Sequence, residues 1–215
     1  MKDRLEFFLT DDGSPSFRNF LFDEPYHSKA GALLEAEKKY SLALSIWEKE
    51  NPVVFDVCFG LGYNTAVALR HLKRGVFICF ENDVEILKKV LEIKSVILEF
   101  DIIKNFIKAF LEGKNTFVYK DFKFIMLLGD VREEIKKVSY KADFVFFDPF
   151  SPKKHPALWE KNFLLDVFKS MKKGSKLATY SYARSTRENF ELVGFSLKDG
   201  PVVGRRSPSL ICLKQ

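Results

Sequence analysis

Short apolar runs alternate with amphipathic stretches along most of this chain. The runs "VVFDVCF" (53–59), "VFICFE" (76–81), "FKFIMLL" (122–128), "ADFVFFD" (142–148) and "KLATYS" (176–181) are rich in β-branched and aromatic residues, as strands buried on both faces require. Between them, apolar positions recur at helical spacing over about 63–72, 84–93, 158–171 and 184–193, with a short helix after Asp130. Lys172, Lys173 and Gly174 read as the end of the third of these helices. Residues 95–120 are less regular, and "IIKNFIKAFLEG" reads as a helix closed by Gly113. "FSLKDG" and "PSLICLK" read as an antiparallel pair at the sheet edge.

The first fifty residues follow another pattern. "LEFFL", "TDDGSPS" and "FRNFLF" predict a hairpin, because Asp12-Gly13 followed by Ser14-Pro15 is strong turn chemistry. Ser28 is placed to cap a helix running to about Glu50, with Leu33, Leu34, Ala43, Leu44 and Trp47 on its apolar face. Pro52 ends that helix.

Apolar strands alternating with helices demand a mostly parallel sheet covered on both faces. The expected fold is α/β and Rossmann-like, a seven-stranded sheet over 51–215 with a small hairpin–helix unit, 1–50, packed on it. Ligands of such sheets bind beyond the carboxyl ends of the strands, where the strand order reverses.

At 215 residues and 47% hydrophobic content, one well-packed domain is expected rather than disorder. No apolar run approaches the roughly 20 residues that span a bilayer. The start, "MKDRLEFFLTDDG", has no basic region followed by an apolar block, so no signal peptide is expected. Cys58, Cys79 and Cys212 lie in apolar runs without CxxC pairing and read as buried thiols of a cytoplasmic protein. The histidines give no metal-ligand pattern, and no metal is expected. A net charge of +6 suits a polyanionic partner such as nucleic acid. With 30% charged residues and Gln215 as its only glutamine, the chain would also suit a hyperthermophile, which accounts for lysines without any RNA.

The candidate chemistry starts at "FDVCFGLGYN". Gly60 and Gly62 follow the first strand of the parallel set, where they would let the backbone pass under a ligand beside a helix N-terminus. Three acidic residues each close a different strand. Glu81 lies 19 residues past Gly62, placed to accept both hydroxyls of a ribose, with Asp83 a competitor for that role. Asp130 is placed for the exocyclic amine of adenine. Asp148, in "FFDPF", sits beside the reacting group. A dinucleotide site would need a third glycine, where this chain has Thr65, and no phosphate-binding lysine motif is present. S-adenosyl-L-methionine carries no phosphate, and its methionine tail needs only N–H donors and polar side chains such as Asn64. A class I S-adenosyl-L-methionine-dependent methyltransferase is therefore expected rather than a dehydrogenase.

The stretches "TDDGSPS", "YHSKAGALLEA", "DVCFGLGYN", "FFDPFSPKKHPALW", "LATYSYA" and "VGRRS" together resemble the methyltransferase-domain family of MnmC, from Thr10 to about Ser207. That family finishes 5-methylaminomethyl-2-thiouridine at the tRNA wobble position. Where the family often has a first loop glycine this chain has Cys58, expected to narrow the turn only slightly. The resemblance implies S-adenosyl-L-methionine as cofactor, with Asp56, Phe59, Asn82 and Val131 joining Gly60, Gly62, Asn64, Glu81, Asp130 and Asp148 around it. In many members an FAD-dependent oxidase domain follows; here no FAD is expected, and a separate enzyme would supply the aminomethyl precursor.

For the reaction, Asp148 is expected first to orient the amine, with the proton lost to water or through Asp148, and the Pro149 carbonyl to accept a second N–H. Tyr26, His27 and Ser28 are implied pocket residues. The anticodon region of tRNA is the expected partner, met by Lys153, Lys154 and His155, by Arg184 and Arg187, and by Arg205 and Arg206. The splayed base would stack on Phe150 or Tyr182. The rivals are a methyltransferase for a small-molecule amine, a polyamine synthase on the same scaffold, and a non-catalytic nucleoside-binding module.

Overall fold

The computed structural model describes residues 4–215. The expectation about a signal peptide rests partly on residues 1–3, outside the described residues. The chain opens with β1 (Leu5–Leu9) and β2 (Pro15–Asn19), an antiparallel hairpin extended by β3 (Glu24–Pro25). The second strand of the hairpin stops short of the expected "FRNFLF" run. Asn19 Oδ1 accepts the N–H of Leu21 at 2.9 Å, and Asp23 turns left-handed, so residues 20–23 form a turn instead.

Helix α1 (Ala32–Glu35) runs on into a π-helical segment, Ala36–Leu42. Ser28 is not its cap, because the N-cap position is Gly31. The first-turn N–H groups are taken by the hairpin turn instead. Ser14 Oγ accepts from Ala32 N at 2.9 Å and Asp12 Oδ2 from Leu34 N at 2.9 Å. The motif "TDDGSPS" thus shapes its own turn and caps a helix some twenty residues downstream. The helix gives way at Ser45, whose φ is 52°, well before Pro52.

An eight-stranded sheet follows. β4 (Val53–Val57), β5 (Gly75–Glu81), β7 (Phe122–Leu128), β8 (Ala142–Phe147) and β9 (Met171–Thr179) are parallel. β6 (Thr116–Tyr119), β10 (Ser196–Asp199) and β11 (Leu210–Leu213) complete it in the order β10-β11-β9-β8-β4-β5-β7-β6. The strand beyond the expected seven is β6, paired antiparallel with β7. Its two-residue turn is Lys120-Asp121, and Lys120 adopts φ 50° without the glycine or asparagine that marks such turns in sequence. The third helix ends at Ser170, as expected, but Lys172–Gly174 are not a loop cap: they already lie in β9, where Gly174 at φ 76° accompanies a register shift against β8.

Helices α2 (Tyr63–Leu69), α3 (Val84–Glu92) and α4 (Glu99–Leu111) pack with α1 against one sheet face. Helices α5 (Val131–Lys137), α6 (Lys161–Ser170) and α7 (Arg184–Leu192) cover the other. Alternation along β4 divides them: Val54 faces the first layer, Phe55 and Val57 the second. Leu5 and Phe17 of the hairpin join the first core, and Tyr63 Oη donates to the Pro15 carbonyl at 2.9 Å.

Asp12→Ala should lower stability by about 1–2 kcal/mol, the usual worth of a helix cap. Gly31→Ala should cost more, because its Cβ would lie 2.0 Å from Asp12 Oδ2 and its φ is +141°. Thermal melts read both, at about 2–4 °C per kcal/mol for a chain of this size. Unchanged midpoints in both variants would show that the turn does not hold the helix.

Candidate active site

β4 lies where the strand order reverses, with β5 on one side and β8 on the other. The carboxyl ends of β7, β5, β4, β8 and β9 open into one cavity of about 460 Å³. That is a small-molecule volume at the position where doubly wound sheets bind ligands. Cys58 enters it after β4, Glu81 and Asn82 from β5, Asp130 and Val131 after β7, Asp148 after β8 and Tyr180 after β9. The N-terminal unit supplies the opposite wall with Tyr26, His27, Ser28, Glu35, Lys39 and Tyr40.

Glu81 is buried, and its carboxylate is shared among three backbone donors. Oε2 accepts from Gly60 N at 2.7 Å, and Oε1 from Asn82 N at 2.9 Å and Asp83 N at 3.0 Å. Burial pushes its pKa up, and these three bonds pull it back only in part. A carboxylate offers about four acceptor sites, so one remains on Oε2 for a ligand hydroxyl. Asp83, the competitor, is the N-cap of α3, accepts from Glu85 N at 3.0 Å, and is ion-paired to Arg4. Asp130 caps α5 and is gripped by Arg132, whose Nη2 lies 2.5 Å from Oδ2. It therefore reaches the cavity with much of its acceptor capacity used.

The glycine loop differs from expectation. Cys58, Gly60 and Gly62 all have left-handed backbones, with φ of 66°, 54° and 77°. Cys58 thus carries a strain that a glycine would not, of order 1 kcal/mol, rather than merely narrowing the turn. What approaches the two glycines is protein. A Cβ on Gly60 would lie 3.2 Å from the Tyr26 ring, and one on Gly62 would lie 2.5 Å from the Phe59 ring. Neither glycine borders the cavity; their smallness lets Tyr26 and Phe59 close over the loop.

Asp148 has a pKa raised to about 6, by burial first, while Tyr40 and Asn64 oppose the rise. Asn64 Nδ2 donates to its Oδ2 at 3.0 Å. The fully buried Tyr40 phenol faces the same carboxyl, too loosely for a hydrogen bond of standard geometry. Beside it, Lys39 Nζ donates to Glu35 Oε1 at 2.5 Å, and Ser28 Oγ donates to that oxygen at 2.9 Å. His27, held at 2.9 Å from Ser16 Oγ, has its pKa lowered to about 4 by burial and is neutral at pH 7. The Pro149 carbonyl already accepts from Tyr180 Oη at 3.0 Å.

Several expected residues lie elsewhere. Asp56 is buried beneath the cavity and accepts from Thr65 Oγ1 at 2.7 Å. Phe59 packs in the core against Phe106, and Asn64 acts through Asp148. Arg205 enters the cavity, its guanidinium 5.5 Å from the Tyr180 ring centre. Lys153, Lys154, Tyr182, Arg184 and Arg206 do not border it. Lys154 pairs with Asp23, Arg184 with Glu188, and Tyr182 lies under Arg187 and donates to Asp199. Phe150 is flanked by Phe22, stacked at 4.6 Å, and by Tyr26 at 5.0 Å, so it belongs to an aromatic cluster rather than standing as one open ring. Sequence reasoning gives Glu35, in the stretch "YHSKAGALLEA", no role, and Lys39 and Tyr40 carry no signal in the charged run "EKKY"; the π-helical register turns Lys39, Tyr40 and Ser41 inward together.

Burial raises the pKa of Asp56 to about 8, so the folded chain keeps a proton near neutral pH that the unfolded chain releases near pH 4. More protons bound when folded means that stability falls as pH rises through that window. Asp56→Asn should flatten the decline between about pH 4 and 8 in urea melts. A slope equal to that of the wild type would show that Asp56 is ionised in the folded state.

Residues 98–215 match the family model described as S-adenosyl-L-methionine-dependent methyltransferase. The chain is 35% identical to an uncharacterized protein, MJ0670, of Methanocaldococcus jannaschii, across 92% of this chain and 56% of that one. It is 29% identical to the tRNA 5-methylaminomethyl-2-thiouridine biosynthesis bifunctional protein MnmC of Leptospira interrogans, across 88% of this chain and 32% of that one. Among solved structures, MNMC2 from Aquifex aeolicus superposes with a TM-score of 0.81 at 31% identity, covering 97% of this chain and 70% of that one. Spermidine synthase from Thermotoga maritima shares the fold alone, with a TM-score of 0.62 at 11% identity. The seven strands other than β6, the covered parallel core and these likenesses make the fold that of class I methyltransferases. The chain belongs to the S-adenosyl-L-methionine-dependent methyltransferase family, among the MnmC-type methyltransferase domains.

Proposed function

We propose that this chain methylates the primary amine of 5-aminomethyluridine, or its 2-thio form, at the wobble position of tRNA, giving the 5-methylaminomethyl product. The observation that carries the reading is the placement of Asp148, with a pKa near neutrality, in the same cavity as Glu81. The part of the Leptospira relative in tRNA 5-methylaminomethyl-2-thiouridine biosynthesis supports the substrate class.

The cavity lining fits the methyl donor. Carboxylates of Glu24, Glu35, Glu81, Asp83, Asp130 and Asp148 outnumber the cations of Lys39, Arg132 and Arg205, which suits a donor with a positively charged sulfur. Glu81 would hold the ribose by its remaining acceptor site, and Asn82, Asp130 and Val131 would border the adenine. When bound, S-adenosyl-L-methionine supplies an electrophilic methyl group: the amine lone pair forms the C–N bond, and the C–S electron pair returns to sulfur.

The chain's own residues prepare the amine. An alkyl amine with a pKa of about 10 is neutral in only about one part in a thousand at pH 7, a cost of roughly 4 kcal/mol. The acidic lining attracts its protonated form. Asp148, with a pKa near 6, is basic enough to take a proton and acidic enough to pass it to water. Asn64 holds one oxygen of Asp148, which leaves the other for the amine.

The net charge of +6 lies on the outside of a chain whose cavity is anionic, which favours a polyanion carrying a cationic group over a free polyamine. Arg205 is the cation best placed to meet the substrate at the cavity wall.

Incubation with S-adenosyl-L-methionine and tRNA carrying 5-aminomethyluridine should give the N-methyl nucleoside by mass spectrometry. Asp148→Ala should lower kcat by about 10²–10⁴-fold while leaving cofactor affinity nearly unchanged, and equal turnover would remove Asp148 from the mechanism. Raising salt from about 50 to 200 mM should raise KM for tRNA steeply; a salt-insensitive KM would favour a small-molecule amine.

A further inference from the structure

We propose that the Tyr40 hydroxyl is a second group that grips the amine, forming with Asp148 a two-point cradle for the nitrogen that is methylated. The inference rests on the amine-methylation reading. Tyr40 borders the cavity and is 1% exposed, and its Oη faces Asp148 but makes no hydrogen bond of standard geometry to any protein group. A buried hydroxyl without a partner costs about 1–3 kcal/mol, which a chain tolerates where a ligand supplies the missing bond. The ring cannot swing away, because it packs edge-on against Phe146 with centroids 5.8 Å apart. A π-helical turn directs it inward, a distortion that concentrates at functional sites.

The chemistry of a neutral primary amine asks for such a group. It has two N–H donors and one lone pair, and the lone pair must point at the methyl carbon. Asp148 accepts one N–H. The Pro149 carbonyl, the obvious second acceptor, already has one of its two lone pairs engaged by Tyr180. Tyr40 Oη can donate its proton to Asp148 and accept the remaining N–H with a lone pair. The phenol stays protonated, since burial, with Asp148 and Glu35 nearby, pushes its pKa upward. Held at both N–H groups, the nitrogen has one direction left for its lone pair.

The test is Tyr40→Phe, which deletes the hydroxyl and keeps the ring. With tRNA carrying 5-aminomethyluridine, kcat should fall at least about tenfold, the scale of one positioning hydrogen bond in a transition state. The dissociation constant for S-adenosyl-L-methionine should not change, and the melting temperature should shift by no more than about 4 °C, because only a loose contact with Asp148 is lost. Combined with Asp148→Asn, the loss should be smaller than the product of the single losses, because both groups hold one nitrogen. A wild type that transfers no methyl group overturns both readings. An active wild type with Tyr40→Phe turning over within twofold of it overturns the role of Tyr40 alone. A variant that melts more than about 4 °C lower or loses cofactor affinity assigns Tyr40 to structure and also overturns it.

Discussion

The site depends on one buried carboxylate. Glu81, at the end of β5, accepts the N–H of Gly60 across 21 residues of chain and two further N–H groups from its own strand exit. Burying a charge is costly unless hydrogen bonds replace water, and here backbone amides do so. The link pins the loop after β4 against β5. With the loop pinned, Cys58 faces the cavity, α2 starts where it does, and Asn64 in its first turn reaches Asp148. A ligand that takes the remaining acceptor site of Glu81 joins a network that is already assembled.

The N-terminal unit is part of this site. The hairpin turn caps α1 through Asp12 and Ser14, and the π-helical segment then presents Lys39 and Tyr40 to the carboxyl ends of the strands. At the cavity mouth, Glu24 accepts both the N–H and the hydroxyl of Ser151, and Phe22 stacks on Phe150. Two segments more than a hundred residues apart are thus held as one wall. That wall is aromatic outside and charged within, where Glu35 and Lys39 neutralise each other at 2.5 Å.

Charge is divided by position. A basic chain encloses an acidic cavity, so long-range attraction favours a polyanion while the interior favours a cation. Carboxyl groups with raised pKa values, Asp148 among them, follow from the same crowding of acids in a desolvated space. This is the environment that brings an acid toward neutrality, where it can exchange protons at physiological pH.

Local pattern alone determined the alternation of five buried strands with helices, the opening hairpin, and the acidic residues that close β5, β7 and β8. Periodicity and turn chemistry act over a few residues, so they are legible without a fold. Glu81 and Asp148 were legible for the same reason, since the strand exits of a parallel sheet converge on its ligand-binding edge. Tertiary structure decided the rest. Ser28 matches a helix cap in sequence, yet Asp12 and Ser14 reach the amides first, because the hairpin folds back over the helix start. Gly60 and Gly62 mark a close approach, but only packing shows that Tyr26 and Phe59 make it. Tyr40 and Lys39 sit in a stretch indistinguishable from a solvated face, and an extra residue per turn rotates them into the cavity. Such positions depend on groups distant in sequence competing for one amide or one volume, a contest settled only when the chain has folded.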